Sequence, residues 1–412
     1  MKKFTCLLLS VLVAAGMTAL PAAAAEPIVV NEEITVSGDY DWTRFQGKGV
    51  KLNVYNWGLY ISDGSDESVD VVEAFEQLTG IDVNYTTYDT NESLYAKMKG
   101  GGANYDIIVP SDYMIGKMIK EDMLEPLNFD NIPNAALIGQ EYRGQSYDPQ
   151  DQYSVPYTWG VVGLVYNKTM VEEAPDSWEA MWDARYANSI LMFNNSRDAF
   201  AIAARKLGMS MNPTSQEEVD IIARELKEQK ALVQAYVMDE IFDKMEGGEA
   251  ALAPYYAGDA LVMMEENPDL DFVIPKEGTN YFVDALCIPK GSQNKEAAEM
   301  FINFMCEPDV GYANCTFIGY STPIEAVQEM LPEELANNPI AYPSEEVLAN
   351  TETFISLPDE INAAMDTAWS DMKSYDESGG GWVIPVFLLL AIAMTCFNIW
   401  RRRVRKKRKE LY

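Results

Sequence analysis

The sequence predicts an α/β fold of two sheets with crossover helices, followed by a single C-terminal transmembrane helix. Two observations predict it. From residue 50 onward, short apolar strand-like runs alternate with helix-like periods. Near the end, Trp382 to Trp400 runs for 19 residues without a charge and stops at Arg401-Arg402-Arg403. The chain of 412 residues is long enough for two lobes with a sizeable core in each.

Residues 1–25 read as a secretory signal peptide. Lys2 and Lys3 give the charged start, Phe4 to Leu20 the apolar stretch, and Ala22 to Ala25 the small-residue cleavage site. Residues 26–49 form a polar lead-in. Val50–Tyr55 is then the first strand, Ser68–Leu78 a helix stopped by Gly80, Ile81–Tyr85 a strand, and Glu92–Lys99 a helix. Asp106–Val109 is a short apolar strand, buried on both faces in a parallel sheet. A helix over Tyr113–Glu121 follows. The alternation continues through strands at Gly160–Tyr166 and Ile190–Phe193, and helices at Phe200–Leu207 and Ser215–Glu228. Gly379-Gly380-Gly381 ends a short joint over 376–381. As a helix, the run 382–400 spans ~28 Å at ~1.5 Å per residue, close to a bilayer core. Trp382 and Trp400 sit at its two interfaces, and the basic tail 401–412 belongs in the cytoplasm by the positive-inside rule. The body is therefore expected outside the cell, or in the periplasm.

Composition narrows the function. The net charge is -33, yet the last twelve residues hold eight Lys/Arg and one Glu. Without that tail and the leader's Lys2 and Lys3, residues 26–400 keep 21 basic and 63 acidic residues, a net of -42. Such a body repels nucleic acid and suits a cationic ligand, although acidic surfaces also keep secreted proteins soluble. There is no histidine, which excludes Ser-His-Asp and Cys-His catalysis and the commonest metal ligand. Three of the five cysteines, Cys287, Cys306 and Cys315, fall in the body. They make no complete disulfide framework and no Cys-x-x-Cys metal spacing. No phosphate-binding or dinucleotide-binding motif occurs. The expectation is a non-enzymatic chain without cofactor or metal.

Ligands of open α/β sheets lie beyond the carboxyl ends of the strands. Those ends read Asn56-Trp57-Gly58-Leu59-Tyr60, Pro110-Ser111-Asp112-Tyr113, Asn194-Asn195-Ser196-Arg197-Asp198 and Tyr256-Ala257-Gly258-Asp259, with Phe317-Ile318-Gly319-Tyr320 later. Aromatic residues and acids recur there. Ring faces suit an alkyl chain and its cationic heads, and carboxylates suit ammonium groups. Asp198 and Asp259 also fall at helix starts, where an acid serves equally well against the helix dipole. Singly, each aromatic residue fits core packing. Asp284 differs, because it lies inside the apolar strand Tyr281–Cys287. A buried carboxylate there needs a cation, either an external one or an internal arginine such as Arg197.

Further segments carry a resemblance. They are Tyr55-Asn56-Trp57 with Tyr60, Thr87 to Glu92 with Tyr95-Ala96-Lys97, Val109-Pro110-Ser111, Ser196-Arg197-Asp198, Ala204 to Gly208, Pro275-Lys276-Glu277-Gly278 and Ile318 to Pro323. Together, from about Lys51 to Lys373, they resemble bacterial periplasmic spermidine/putrescine-binding proteins. The resemblance implies a two-lobed type II periplasmic binding protein fold. It implies a protein that closes on a polyamine and delivers it to the permease subunits of an ABC importer. The lobes it implies are 50–158 with 284–335 and 159–283 with 336–375. By the same resemblance Trp57, Tyr60, Tyr113, Tyr256, Phe282 and Tyr320 form an aromatic box, Ser111 adds a hydroxyl, and Asp198, Asp259 and Asp284 hold ammonium groups. Asn195, also expected to contact the ligand, stands where spermidine-preferring relatives carry an Asp, and Leu59 where relatives carry an acid. Phe282 and Tyr256 replace tryptophans, which leaves the choice of polyamine open. The membrane anchor is unusual for the family. Two rival readings are a membrane-tethered polyamine sensor and an extracellular carboxylate-pair glycosidase.

Overall fold

The computed structural model describes residues 25–101 and 104–374. The expected signal peptide (Ala25 apart), the joint 376–381, the membrane helix 382–400 and the tail 401–412 lie outside the described residues. Among the described residues no helix is long and apolar enough to cross a membrane.

The polar lead-in is built into the fold. β1 (Ile28–Val29) pairs with β2 (Thr35–Val36), and Ile34, Val36 and Trp42 are buried. Trp42 donates its indole N–H to the Ser37 carbonyl at 2.8 Å and meets Phe304 edge-on at 6.0 Å. Burial of these apolar side chains docks the lead-in against the body.

β3 (Lys51–Trp57), α1 (Val71–Thr79), β4 (Asp82–Tyr88), α2 (Asn91–Lys99), β5 (Ile107–Ile108) and α3 (Asp112–Lys120) alternate as expected. α1 begins after Asp70, whose carboxylate caps the Glu73 N–H at 2.8 Å, and ends at Gly80 with φ 69°. β6 (Ser154–Asn167), β7 (Ile190–Phe193), α4 (Ser196–Lys206), α5 (Gln216–Lys230) and β8 (Val233–Val237) follow. Then come α6 (Ile241–Glu246), β9 (Leu252–Tyr256), α7 (Ala257–Glu266), β10 (Leu270–Val273) and β11 (Thr279–Cys287). The remainder comprises α8 (Lys295–Met305), α9 (Pro308–Ile318), α10 (Glu325–Met330), α11 (Glu333–Ala336), α12 (Glu345–Leu348), β12 (Thr351–Glu352) and α13 (Asp359–Ser374).

The strand order is β4-β3-β5-β11-β6-β9-β7-β8, with β10 on β6 and β12 on β11. β3 runs parallel to β4 and β5, and β7 runs parallel to β8 and β9. Between these parallel halves, β11 and β6 pair antiparallel. The two sheets expected from the sequence are thus joined through one strand. β6 is 14 residues long; its first half pairs with β11, and its second half with β9 and β10. Sequence periodicity starts this strand at Gly160, six residues late. The structure places Pro156 at a bulge, where Asp284 faces Thr158, Ala285 faces Pro156, and Tyr157 is the extra residue. Bulges re-aim neighbouring side chains, and this one lies beside Asp284. Cys287, Cys306 and Cys315 are buried free thiols.

Candidate functional site

The strand ends converge on a cleft enclosing about 650 Å³, part of it open to solvent. Trp57, Tyr60, Ser111, Tyr113, Asp198, Tyr256, Asp259, Phe282, Asp284 and Tyr320 all line it. Asn195 does not. It caps α4 instead, its Oδ1 accepting the Asp198 N–H at 2.9 Å and its Nδ2 donating to Asp198 Oδ2 at 2.5 Å. α4 starts at Ser196 rather than Phe200, so Asp198 falls in its first turn with the cap supplied by Asn195.

Each cleft carboxylate of the predicted set is held by a tyrosine. Tyr256 donates to Asp198 Oδ2 at 2.9 Å, Tyr320 to Asp259 Oδ2 at 2.8 Å, and Tyr60 to Asp284 Oδ2 at 2.7 Å. Tyr60 also lies 2.5 Å from the Thr158 hydroxyl. With the Tyr60 proton on Asp284, Thr158 is the donor to Tyr60. Asp284 Oδ1 is buried and makes no hydrogen bond among the described residues. Ser111 accepts from Asn91 Nδ2 at 3.0 Å, which leaves its own proton free to donate.

Among the described residues no basic side chain forms an ion pair with these acids, although the charge of Arg197 acts on Asp198 without touching it. None of the ion pairs among the described residues involves Asp198, Asp259 or Asp284. Arg197, the internal partner considered for Asp284, bonds Asn212 Oδ1 at 3.0 Å and the Ile355 carbonyl at 3.3 Å. Its guanidinium lies 4.9 Å from the Tyr113 ring centre and 4.5 Å from that of Phe354. A carboxylate held only by neutral donors in a buried setting resists ionisation. Burial pushes Asp259 up to about 8 against the Tyr320 hydrogen bond, with Asp239 adding to the rise. Burial likewise raises Asp284 to about 6, opposed by Ser111 and Tyr60 and helped by the charge of Asp198. Asp198 is raised by the same cause.

Rings complete the lining. Tyr60 meets Tyr320 edge-on at 4.8 Å, Tyr256 meets Phe282 edge-on at 5.5 Å, and Phe282 meets Tyr320 at 6.2 Å. Trp57 is fixed by its indole N–H to the Val109 carbonyl at 2.9 Å and packs on Tyr88 at 4.6 Å. Tyr113 donates to Glu92 at 2.8 Å. Carboxylates set between ring faces suit an elongated organic cation, whose arrival favours their ionised forms, and the attraction strengthens as water leaves.

Several lining residues escaped sequence reading: Asn91, Asp239, Tyr255, Asn280 and Phe354. Asp239 follows β8, a strand whose weak Val-Gln-Ala-Tyr-Val pattern gave no signal. Phe354 follows the two-residue β12. Asn280 was detectable, since it shares the alternate positions of β11 with Phe282 and Asp284.

A family model described as bacterial extracellular solute-binding protein matches residues 70–343. The spermidine/putrescine-binding periplasmic protein of Escherichia coli K12 is 36% identical over 304 residues, 73% of this chain and 85% of that one. A putrescine-binding periplasmic protein of Pseudomonas aeruginosa is 29% identical over 342 residues, covering 78% of this chain and 92% of the other. A putative spermidine/putrescine ABC transporter structure from Listeria monocytogenes superposes with a TM-score of 0.76 at 35% identity, covering 79% of this chain and 99% of that one.

Proposed function

Because this chain belongs to the bacterial extracellular solute-binding protein family and shares its two-lobed α/β fold, we propose that its cleft takes up a polyamine outside the cytoplasm and delivers it to the permease of an ABC importer. One observation carries the reading: three buried aspartates, each held by a tyrosine phenol and, among the described residues, none ion-paired with a basic side chain, lie among aromatic rings. The relatives named for spermidine and putrescine support it.

In this reading the methylene chain lies along Phe282, Tyr256 and Tyr320, and the ammonium groups meet Asp198, Asp259 and Asp284. The Ser111 proton steers the carboxylates, and Trp57, Tyr60 and Tyr113 close the box. Asn195 acts through Asp198 from behind the wall. The lobes are 50–158 with 284–335 and 159–283 with 336–375, hinged where β6 and β11 cross. A bulge at the hinge beside Asp284 couples closure to the carboxylate. The 19-residue uncharged run 382–400, with its basic tail, supports a single-pass anchor that keeps the body outside.

Isothermal titration with spermidine and putrescine tests the reading. Wild-type protein is expected to bind at least one of them. Asp284→Asn is expected to weaken that binding by about 2–5 kcal/mol, the cost of removing one member of a buried charge pair. Wild-type affinity in that variant for both amines removes Asp284 from the site.

A further inference from the structure

We infer that Asn280 is a further ligand-contacting residue, a neutral acceptor that acts beside Asp198 on one ammonium group. The inference rests on the amine reading above and adds a residue to the same cleft.

Side chains at alternate positions of a strand share one face. On β11, Asn280, Phe282 and Asp284 stand at such positions, and all three line the cleft. Asn280 is 4% exposed, and its carbonyl Oδ1 has no hydrogen-bond partner among the described residues. A buried amide carbonyl without a partner is costly and uncommon. Among the described residues the fold gives this carbonyl no partner. The strand is fixed by the backbone pairing of Asn280 with Glu352 and by the Thr279 hydroxyl, which donates to the Val162 carbonyl at 2.6 Å.

Asn280 and Asp198 also border a second, smaller cavity beneath α4, so the two side chains are neighbours. Asp198 Oδ2 already accepts hydrogen bonds from Asn195 and Tyr256. A primary ammonium brings three N–H donors. The carboxylate supplies the charge, and the amide carbonyl takes a second N–H without adding another negative charge to a cleft whose acids already oppose one another's ionisation. The chemistry selected is an amine with N–H groups at that end, rather than a quaternary ammonium.

The test is isothermal titration of spermidine and putrescine at pH 8 with wild type, Asn280→Ala and Asn280→Asp. Asn280→Ala is expected to weaken the tighter amine about tenfold, the usual scale for a hydrogen bond to a charged group. Asn280→Asp, which keeps the acceptor and the shape but adds a charge, is expected to lose less affinity than the alanine variant. Asn280→Leu repeats the comparison if the alanine variant does not fold. Affinity within twofold of wild type in the alanine variant overturns the assignment. So does equal weakening in the alanine and aspartate variants, since that marks a structural residue. No binding of any amine by wild type overturns the amine reading itself, and this assignment with it.

Discussion

A phenol donating to a buried carboxylate makes a pH-dependent pair. Asp259 and Asp284 rise from an ordinary 3.8 to about 8 and about 6. The folded, ligand-free protein therefore holds more protons than the unfolded chain between those limits. The stability these two groups contribute is complete below about pH 4 and is lost as pH rises through 6 and then 8. A cationic ligand reverses the trend, because it needs the ionised forms. Polyamine affinity is expected to climb from pH 5 to pH 8, and through Asp259 alone each unit below 8 costs up to about tenfold. Tyr320→Phe removes a donor that favours the Asp259 anion, so the same rise moves to higher pH. Titrations across that range check both statements. An affinity flat from pH 5 to 8 contradicts the first, and an unmoved profile in Tyr320→Phe contradicts the second.

Secondary-structure elements were unevenly legible. Asp284 stood out because a charge inside an apolar strand needs a reason, and the structure puts it in the cleft with a free oxygen. Asn280 on the same strand shares the alternation but carries no charge, so the sequence alone does not single it out. α4 was read four residues short, since Ser-Arg-Asp looks like loop until Asn195 is recognised as its cap. Asn195→Ala is expected to destabilise the protein by about 1 kcal/mol through the lost cap. It is also expected to weaken amine binding, because the amide that helps hold Asp198 ionised is gone. Chemical denaturation and titration read the two effects separately. Unchanged stability would show that the cap contributes nothing at this position. Sequence periodicity misplaces the start of β6, whose skipped first part carries a proline at a bulge.

The whole molecule was legible in class and opaque in assembly. Alternating strand and helix periods announced α/β layers, but periodicity is local. Nothing near residue 154 shows that β6 pairs with β11, more than 110 positions later in the chain. The close contact of Gly258 with Gly319, which brings the start of α7 against the end of α9, is equally invisible from either segment. Charge is a property the sequence does give at this scale. A body of net -42 over residues 26–400 draws cations from a distance that salt shortens to about 8–10 Å at physiological strength. The association rate for spermidine is expected to fall by about tenfold or more from low salt to physiological salt. Stopped-flow fluorescence of the cleft tryptophan measures it. A rate indifferent to salt limits the attraction to contact range.

The cleft contains aspartates and phenols but, among the described residues, no guanidinium or ammonium lines it. Ornithine and lysine present an amine much as a diamine does, yet each also carries an α-carboxylate. Inside these walls that second group would meet like charge and phenols already donating to Asp198, Asp259 and Asp284. A lining of this kind favours an amine that has lost its carboxylate over the amino acid it came from.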